Sequence, residues 1–212
     1  RLVTNMENLF GSCFELRYLN IPLLSTQNVL SFRSMFENCK SIKSLDLSRF
    51  RTDKVTLMYS MFRYCESLEF VDVTSFNTRN VENMADLFQG CHSLTSVDVS
   101  NFDTSRTTDI SQMFDNCRKI TSLNLKRFRT TSVQTIGYMF SQCHSLTSLD
   151  LSSFDLSNAN SINGMFYNCT SLKYLDISNF RTSKVTIMSN AFGLCSSLTS
   201  LDVSKFDISN VF

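Results

Sequence analysis

Eight cysteines are the first residues in this 212-residue chain that could do chemistry, as metal ligands, disulfide partners or nucleophiles. They are Cys13, Cys39, Cys65, Cys91, Cys117, Cys143, Cys169 and Cys195, and every interval is 26 residues. A zinc site needs four convergent ligands, which an evenly spaced file without any C-x-x-C pair does not supply. Helices stacked side by side would hold successive cysteines about 8–10 Å apart, beyond the Cα limit of about 7 Å for a disulfide. The file therefore reads as buried thiols acting as small hydrophobes. His92 and His144 each follow a cysteine, two repeats apart and with Arg118 in the equivalent place between them, so they read as surface-loop residues. No histidine shares a strand face with the plentiful Ser and Asp, no glycine-flanked serine suggests a strained nucleophile, and five scattered glycines build no phosphate loop. The expectation is a chain with no catalytic constellation, metal or cofactor. Asn168-Cys169-Thr170 matches the glycosylation tripeptide, although its middle residue sits in the cysteine file.

The elements that position these residues follow from the same period. Three residues before each cysteine stands Phe10, Phe36, Phe62, Phe88, Phe114, Phe140, Phe166 or Phe192. Eleven residues after each stands Leu24, Phe50, Phe76, Phe102, Phe128, Phe154, Phe180 or Phe206. Self-similarity at 26 residues marks a stacked-repeat architecture in which no unit buries its apolar side alone. The spacing Leu94, Val97, Val99, Phe102 alternates with period two and predicts a short strand. Thr107, Ile110, Met113, Phe114 and Cys117 fall within about 120° on a helical wheel and predict a short helix. Ser105, Ser157, Ser183 and Asp53 lie just upstream, where they would cap it. The fold class that follows is α/β: a right-handed solenoid of about eight repeats, with a parallel sheet on the concave side and short helices on the convex side. Because helices need about 10 Å of width and paired strands about 4.8 Å, it should curve into a horseshoe segment. We read residues 1–212 as a single array, and as a piece of a longer array or larger protein.

With 42% hydrophobic and 12% aromatic residues the chain is too apolar for disorder. The 20 basic residues form no run and the net charge is +1, a pattern that argues against nucleic-acid binding and anionic membranes. No stretch approaches the 18 or so apolar residues of a membrane span, so no insertion by this segment is expected. Ser145 to Cys169 (SLTSLDLSSFDLSNANSINGMFYNC) and Ser171 to Cys195 (SLKYLDISNFRTSKVTIMSNAFGLC) resemble the BspA-like repeats within the leucine-rich repeats. The resemblance covers the whole chain. It implies an extracellular binding or adhesion surface on a cell-surface or secreted protein, with a protein or glycan ligand left unspecified.

On the strand, residues five, seven and nine positions after each cysteine should face out. The middle file holds Asp46, Asp72, Asp98, Asp150, Asp176 and Asp202, with Asn20 and Asn124 in its other two places. Carboxylates this close repel unless hydroxyl donors, cations or a basic ligand compensate. The flanking serines are candidate donors, which makes the file either a scaffold feature or a polyanionic strip. Tyr18, Phe70 and Tyr174 replace the usual serine of the outward face, and Lys126 interrupts the acidic strip, so these four are candidate contacts. Asp103, Arg129, Asp155, Arg181 and Asp207 alternate in sign and suggest an ion-pair ladder along one rim. The function that follows is non-catalytic recognition through the strand face; the competing reading is a structural segment that extends a larger assembly by self-contacts.

Overall fold

The computed structural model describes residues 3–211, leaving Arg1, Leu2 and Phe212 outside the described residues. The chain winds into eight coils, numbered here 1 to 8 by their cysteines. The strand segment forms where alternation predicts it, though briefly. β1 (Ser44–Asp46) pairs in parallel with β2 (Phe70–Asp72), and β3 (Ser148–Leu149) with β4 (Tyr174–Leu175). The register is one full coil: Ser44 faces Phe70, Leu45 faces Val71 and Asp46 faces Asp72. Coils 4 and 5 keep the same alternation without forming a ladder there, with Val97, Val99, Leu123 and Leu125 buried and Asp98 and Asn124 turned outward.

The predicted helices do not form. Among the described residues there is no helix, and the segment ending at each cysteine is a run of turns. Two residues per coil have left-handed φ, at Asn8 and Ser12 in coil 1, Gln112 and Asn116 in coil 5, and the equivalent places in every coil between and beyond. An α-helix needs φ near −63° throughout, so two such residues four apart forbid it. Hydrogen bonding then splits. The N–H groups of Gln112, Phe114 and Asn116 donate to the carbonyls of Gly137, Met139 and Ser141 on the next coil, while those of Met113, Asp115 and Cys117 close three-residue turns onto Ile110, Gln112 and Phe114. The same alternation recurs along the stack. Single parallel bridges, Asn5 to Ser31 and onward by steps of 26 to Ile187, extend this ladder through all eight coils. Asn, Asp and Gly, which tolerate that backbone, hold eight of the sixteen left-handed places, and Ser, Gln, Tyr and Leu hold the others. At Gly90 and Gly164 a side chain is also excluded by space, since Tyr64 and Tyr138 from the preceding coil lie where a Cβ would stand.

Without helices the reason for a horseshoe with the strands innermost disappears. Rings of the Phe10 to Phe192 file stack on their neighbours at 5.3–6.0 Å with planes within 3–14°. In the file from Phe50 to Phe206, four pairs stack at 6.3–6.5 Å. The turn side therefore advances by no more per coil than the corner that follows the strand segment. Phe36, Phe62, Phe88, Phe114, Phe140 and Phe166 are fully buried, as are Phe102 and Phe128, with Phe50, Phe76, Phe154 and Phe180 nearly so. These two files and the strand leucines and valines form one continuous core.

Candidate functional site

The strand face is built by the pleat, which turns Leu45, Val71, Leu149 and Leu175 inward and their neighbours outward. Tyr18, Phe70 and Tyr174 stand on this face with 75%, 56% and 62% of their surface exposed. Phe70 lies beside Ser44 and Tyr174 beside Ser148 in the parallel register. Two open concavities flank the outer aromatics. One of about 350 Å³ runs between Tyr174, Asp176, Ser200 and Asp202, and one of about 270 Å³ between Tyr18, Asn20, Ser44 and Asp46. Lys126 is exposed on coil 5, its backbone N–H reaching Asn124 Oδ1 at 3.4 Å.

The aspartate file is tied down locally. Asp46 Oδ1 accepts the Ser48 N–H at 3.0 Å and the Ser48 hydroxyl at 2.6 Å, and Asp72 and Asp150 do the same with Thr74 and Ser152. Asp98, Asp176 and Asp202 accept the N–H of Ser100, Ser178 and Ser204. These are Asx turns that end the strand segment. The hydroxyl and N–H of the serine two residues on hold the carboxyls of Asp46, Asp98, Asp150 and Asp202 below the usual range, and for Asp176 the N–H is the larger cause. The donors that the repelling carboxylates need thus come from within each coil. Among the described residues no cluster of His, Cys, Asp and Glu has the arrangement of a metal site.

The thiols of Cys39 through Cys195 each donate to the carbonyl of the phenylalanine 29 residues earlier, as Cys117 Sγ does to Phe88 at 3.1 Å. All eight cysteines are free: Cys13 is exposed, Cys195 half-buried and the others buried. Coils hydrogen-bonded to one another lie about 4.8 Å apart rather than about 8–10 Å, so distance does not forbid a disulfide ladder. Pairing is prevented instead by repetition, since side chains related by a translation point the same way and do not converge. Burial pushes Cys39 up to about 11 and Cys169 up to about 12, and raises Cys65, Cys91, Cys117 and Cys143 well above the ordinary thiol range. Buried and held in the protonated form, these thiols are poor nucleophiles.

The alternating-charge file does not form the expected ion-pair ladder. No two of Asp103, Arg129, Asp155, Arg181 and Asp207 lie within ion-pair distance among the described residues. Asp103, Asp155 and Asp207 turn back to the N–H groups of Ser105, Ser157 and Ser209, and a local bond to a fixed N–H outcompetes a flexible arginine across solvent. Ion pairs do link successive coils elsewhere: Lys40 to Glu66 at 2.9 Å, Lys43 to Glu69 at 3.8 Å and Glu37 to Arg63 at 3.3 Å. The predicted caps have no helix to serve; Asp53, for one, accepts the Asn77 amide at 3.1 Å. His92 and His144 bond Asn116 and Asn168 on the next coil at 3.0 and 3.1 Å, which engages the amide of the glycosylation tripeptide.

One file escaped the sequence reading. Thr26, Thr52, Thr78, Thr104, Thr130 and Thr182, thirteen residues after their cysteines, are buried. The Thr104 hydroxyl donates to the Arg129 carbonyl at 3.0 Å and accepts the Arg129 N–H at 2.7 Å, so one side chain serves both backbone groups of a residue on the next coil. Thr52, Thr78, Thr130 and Thr182 repeat both bonds. The signal was present as a column of threonines interrupted only by Leu156 and Ile208.

A stack of 26-residue coils, each with a short parallel strand, an inward leucine or valine ladder and a phenylalanine spine, is a leucine-rich-repeat solenoid. A leucine-rich repeat protein of T. pallidum shares this fold, matching 85% of this chain and 75% of its own with a TM-score of 0.54 at 20% identity. A leucine-rich repeat protein from Eubacterium ventriosum matches 95% of this chain and 77% of its own at 16% identity, with a TM-score of 0.44 too low to bear on the fold. The same holds for a leucine rich cell surface protein from Faecalibacterium prausnitzii, at 96% and 71% coverage, 19% identity and a TM-score of 0.33. The chain belongs to the family described as Mycoplasma protein of unknown function, DUF285, whose model matches residues 1–71, 65–174, 91–198 and 147–212. No curated protein matches it by sequence.

Proposed function

We propose that this chain is a non-catalytic protein-binding module of a cell-surface or secreted protein, engaging its partner through the strand face. The observation that carries the reading is the placement of Tyr18, Phe70 and Tyr174: three exposed aromatics in one file whose other places are serine. Large rigid side chains spaced along an otherwise short-chained polar surface are the usual anchors of an interface, and nothing in the coil requires them for packing. The concavities beside Tyr18 and Tyr174 provide the relief that a partner's side chains would fill. Lys126 and the outward aspartates supply polar contacts around the anchors.

The test replaces Tyr18, Phe70 and Tyr174 by serine, the residue each repeat otherwise carries, and measures binding to cells and to immobilised matrix proteins. Binding should fall at least tenfold while the thermal midpoint stays put. Unchanged binding would dismiss the strand face. Self-association seen by sedimentation, abolished by changes on the turn side, would favour the reading in which the repeats only extend a larger object.

A further inference from the structure

The basic residues, scattered as they are along the sequence, do not stay scattered. Positions nine to fifteen after each cysteine form the corner that follows the strand segment, and they hold eleven of the chain's 20 Lys and Arg but only four of its 19 Asp and Glu. The corner therefore carries a formal charge of about +7 on a chain whose net charge is +1. Coil 2 contributes Arg49, Arg51 and Lys54, and coil 5 contributes Lys126, Arg127 and Arg129. Arg79 and Arg106 lie between these coils, and Arg181, Lys184 and Lys205 continue the row on coils 7 and 8. All eleven are exposed. Among the described residues, only Arg51, with Asp53, and Arg106, with Glu82, reach a carboxylate. The four corner carboxylates are already engaged, Asp53 by Asn77 and the other three by the serine two residues on.

We propose that this corner is a docking rim for a linear anionic polysaccharide, one that carries sulfate or carboxylate groups at regular intervals. The row is long. Six coil steps of about 4.8 Å at the backbone, or 6.3–6.5 Å at the phenylalanine rings just inside, extend it over about 30–40 Å. Such a line suits an extended polymer better than a compact anion. Between the cations stand short polar residues, Asn77, Asn101, Ser153 and Asn179, which match sugar hydroxyls in size and bonding. No exposed aromatic is present there to stack a nucleic-acid base, and coils 2 to 7 present no exposed apolar side chain there to enter a bilayer. The rim also has a seat. An open cleft of about 710 Å³ lies between coils 6 and 8, with Arg181 and Lys205 on its wall beside Ser153 and Asn179, and with Asp155 and Asp207, each held by the N–H of the serine two residues on, lining it as well. Here Leu156 interrupts the threonine file, so no threonine hydroxyl serves the backbone groups of Arg181. This surface adjoins the strand face but uses different residues, Lys126 excepted, and it does not depend on the aromatic anchors.

The experiment uses the full chain with heparin as the probe, followed by titration at several salt concentrations. Heparin should bind, and the affinity should fall steeply as salt rises, since each neutralised anion releases a counterion. Changing Arg49→Glu, Arg129→Glu and Arg181→Glu together should weaken binding more than tenfold. A control with the same charge change away from the rim, Arg17→Glu, Lys119→Glu and Lys173→Glu, should stay within threefold of the parent chain. If the glutamates unfold the chain, the milder Arg49→Gln, Arg129→Gln and Arg181→Gln set should still weaken binding severalfold. Equal losses in rim and control variants would overturn the proposal, as would no binding by the parent chain. Tighter binding to duplex DNA or to phosphatidylserine vesicles than to heparin would overturn it as well.

Discussion

The turn side and the strand side of each coil bear unequal loads. On the turn side, alternate N–H groups cross to the next coil, the single bridges run unbroken from Asn5 to Ile187, and every cysteine from Cys39 onward caps a carbonyl of the coil before. On the strand side, pairing among the described residues is confined to two short two-stranded ladders, and the outward residues vary from serine to phenylalanine and tyrosine. The side that holds the stack is nearly uniform; the side left free to vary displays the candidate contacts. A repeat protein keeps its coils together through nearest-neighbour terms, so a surface that contributes little to those terms can change without unfolding the array.

The comparison breaks most visibly at the spine. Phe114→Ala empties a buried place between Phe88 and Phe140 and should cost about 3–5 kcal/mol in urea denaturation. A loss below 1 kcal/mol would mean that the turn side does not carry the stack. Thr104→Val leaves the Arg129 N–H and carbonyl without their partner and should cost about 1–3 kcal/mol by the same measurement. Tyr174→Ser, by contrast, should change stability by less than about 0.5 kcal/mol.

Two further measurements sharpen the contrast. A thiol reagent at pH 8 should label exposed Cys13 quickly, and Cys65, Cys91, Cys117 and Cys143 only on unfolding. The smallest effect concerns pH. Burial pushes the carboxyls of Asp86 and Asp115 up, and one oxygen of each is buried without a donor. Their charged forms burden the folded state, so stability should rise slightly as pH falls from 7 through their raised values. The carboxyls of Asp46, Asp98, Asp150, Asp176 and Asp202 on the strand face are shifted the other way. The stability they contribute is present above the ordinary carboxyl range and is lost as pH falls through their depressed values, so the curve should turn down below about pH 4. Asp86→Asn with Asp115→Asn should remove the rise and keep the downturn.

The period, both phenylalanine files and the inward alternation of the strand were legible in the sequence, because burial imposes a binary pattern at each of those places. The turn segment was not. Ile110, Met113 and Cys117 recur every third or fourth residue, a spacing that one face of a helix and a run of three-residue turns satisfy equally well. What separated the two was the identity of the unburied residues, such as Asn116 and Asn168, which favour left-handed φ and are poor helix formers. The basic corner was hidden for another reason. Arg79 and Arg106 lie 27 residues apart in sequence, and only the winding sets them on adjacent coils.

Every bond that crosses between coils joins residues separated by one turn of the winding, give or take three, and each donor file repeats its acceptor from coil to coil. Removing or duplicating any internal block of 26 residues would hand each donor an equivalent acceptor, whereas inserting a single residue would displace every such bond at that junction. The surface can therefore be lengthened or shortened in whole units, while an insertion that ignores the unit should destabilise the stack.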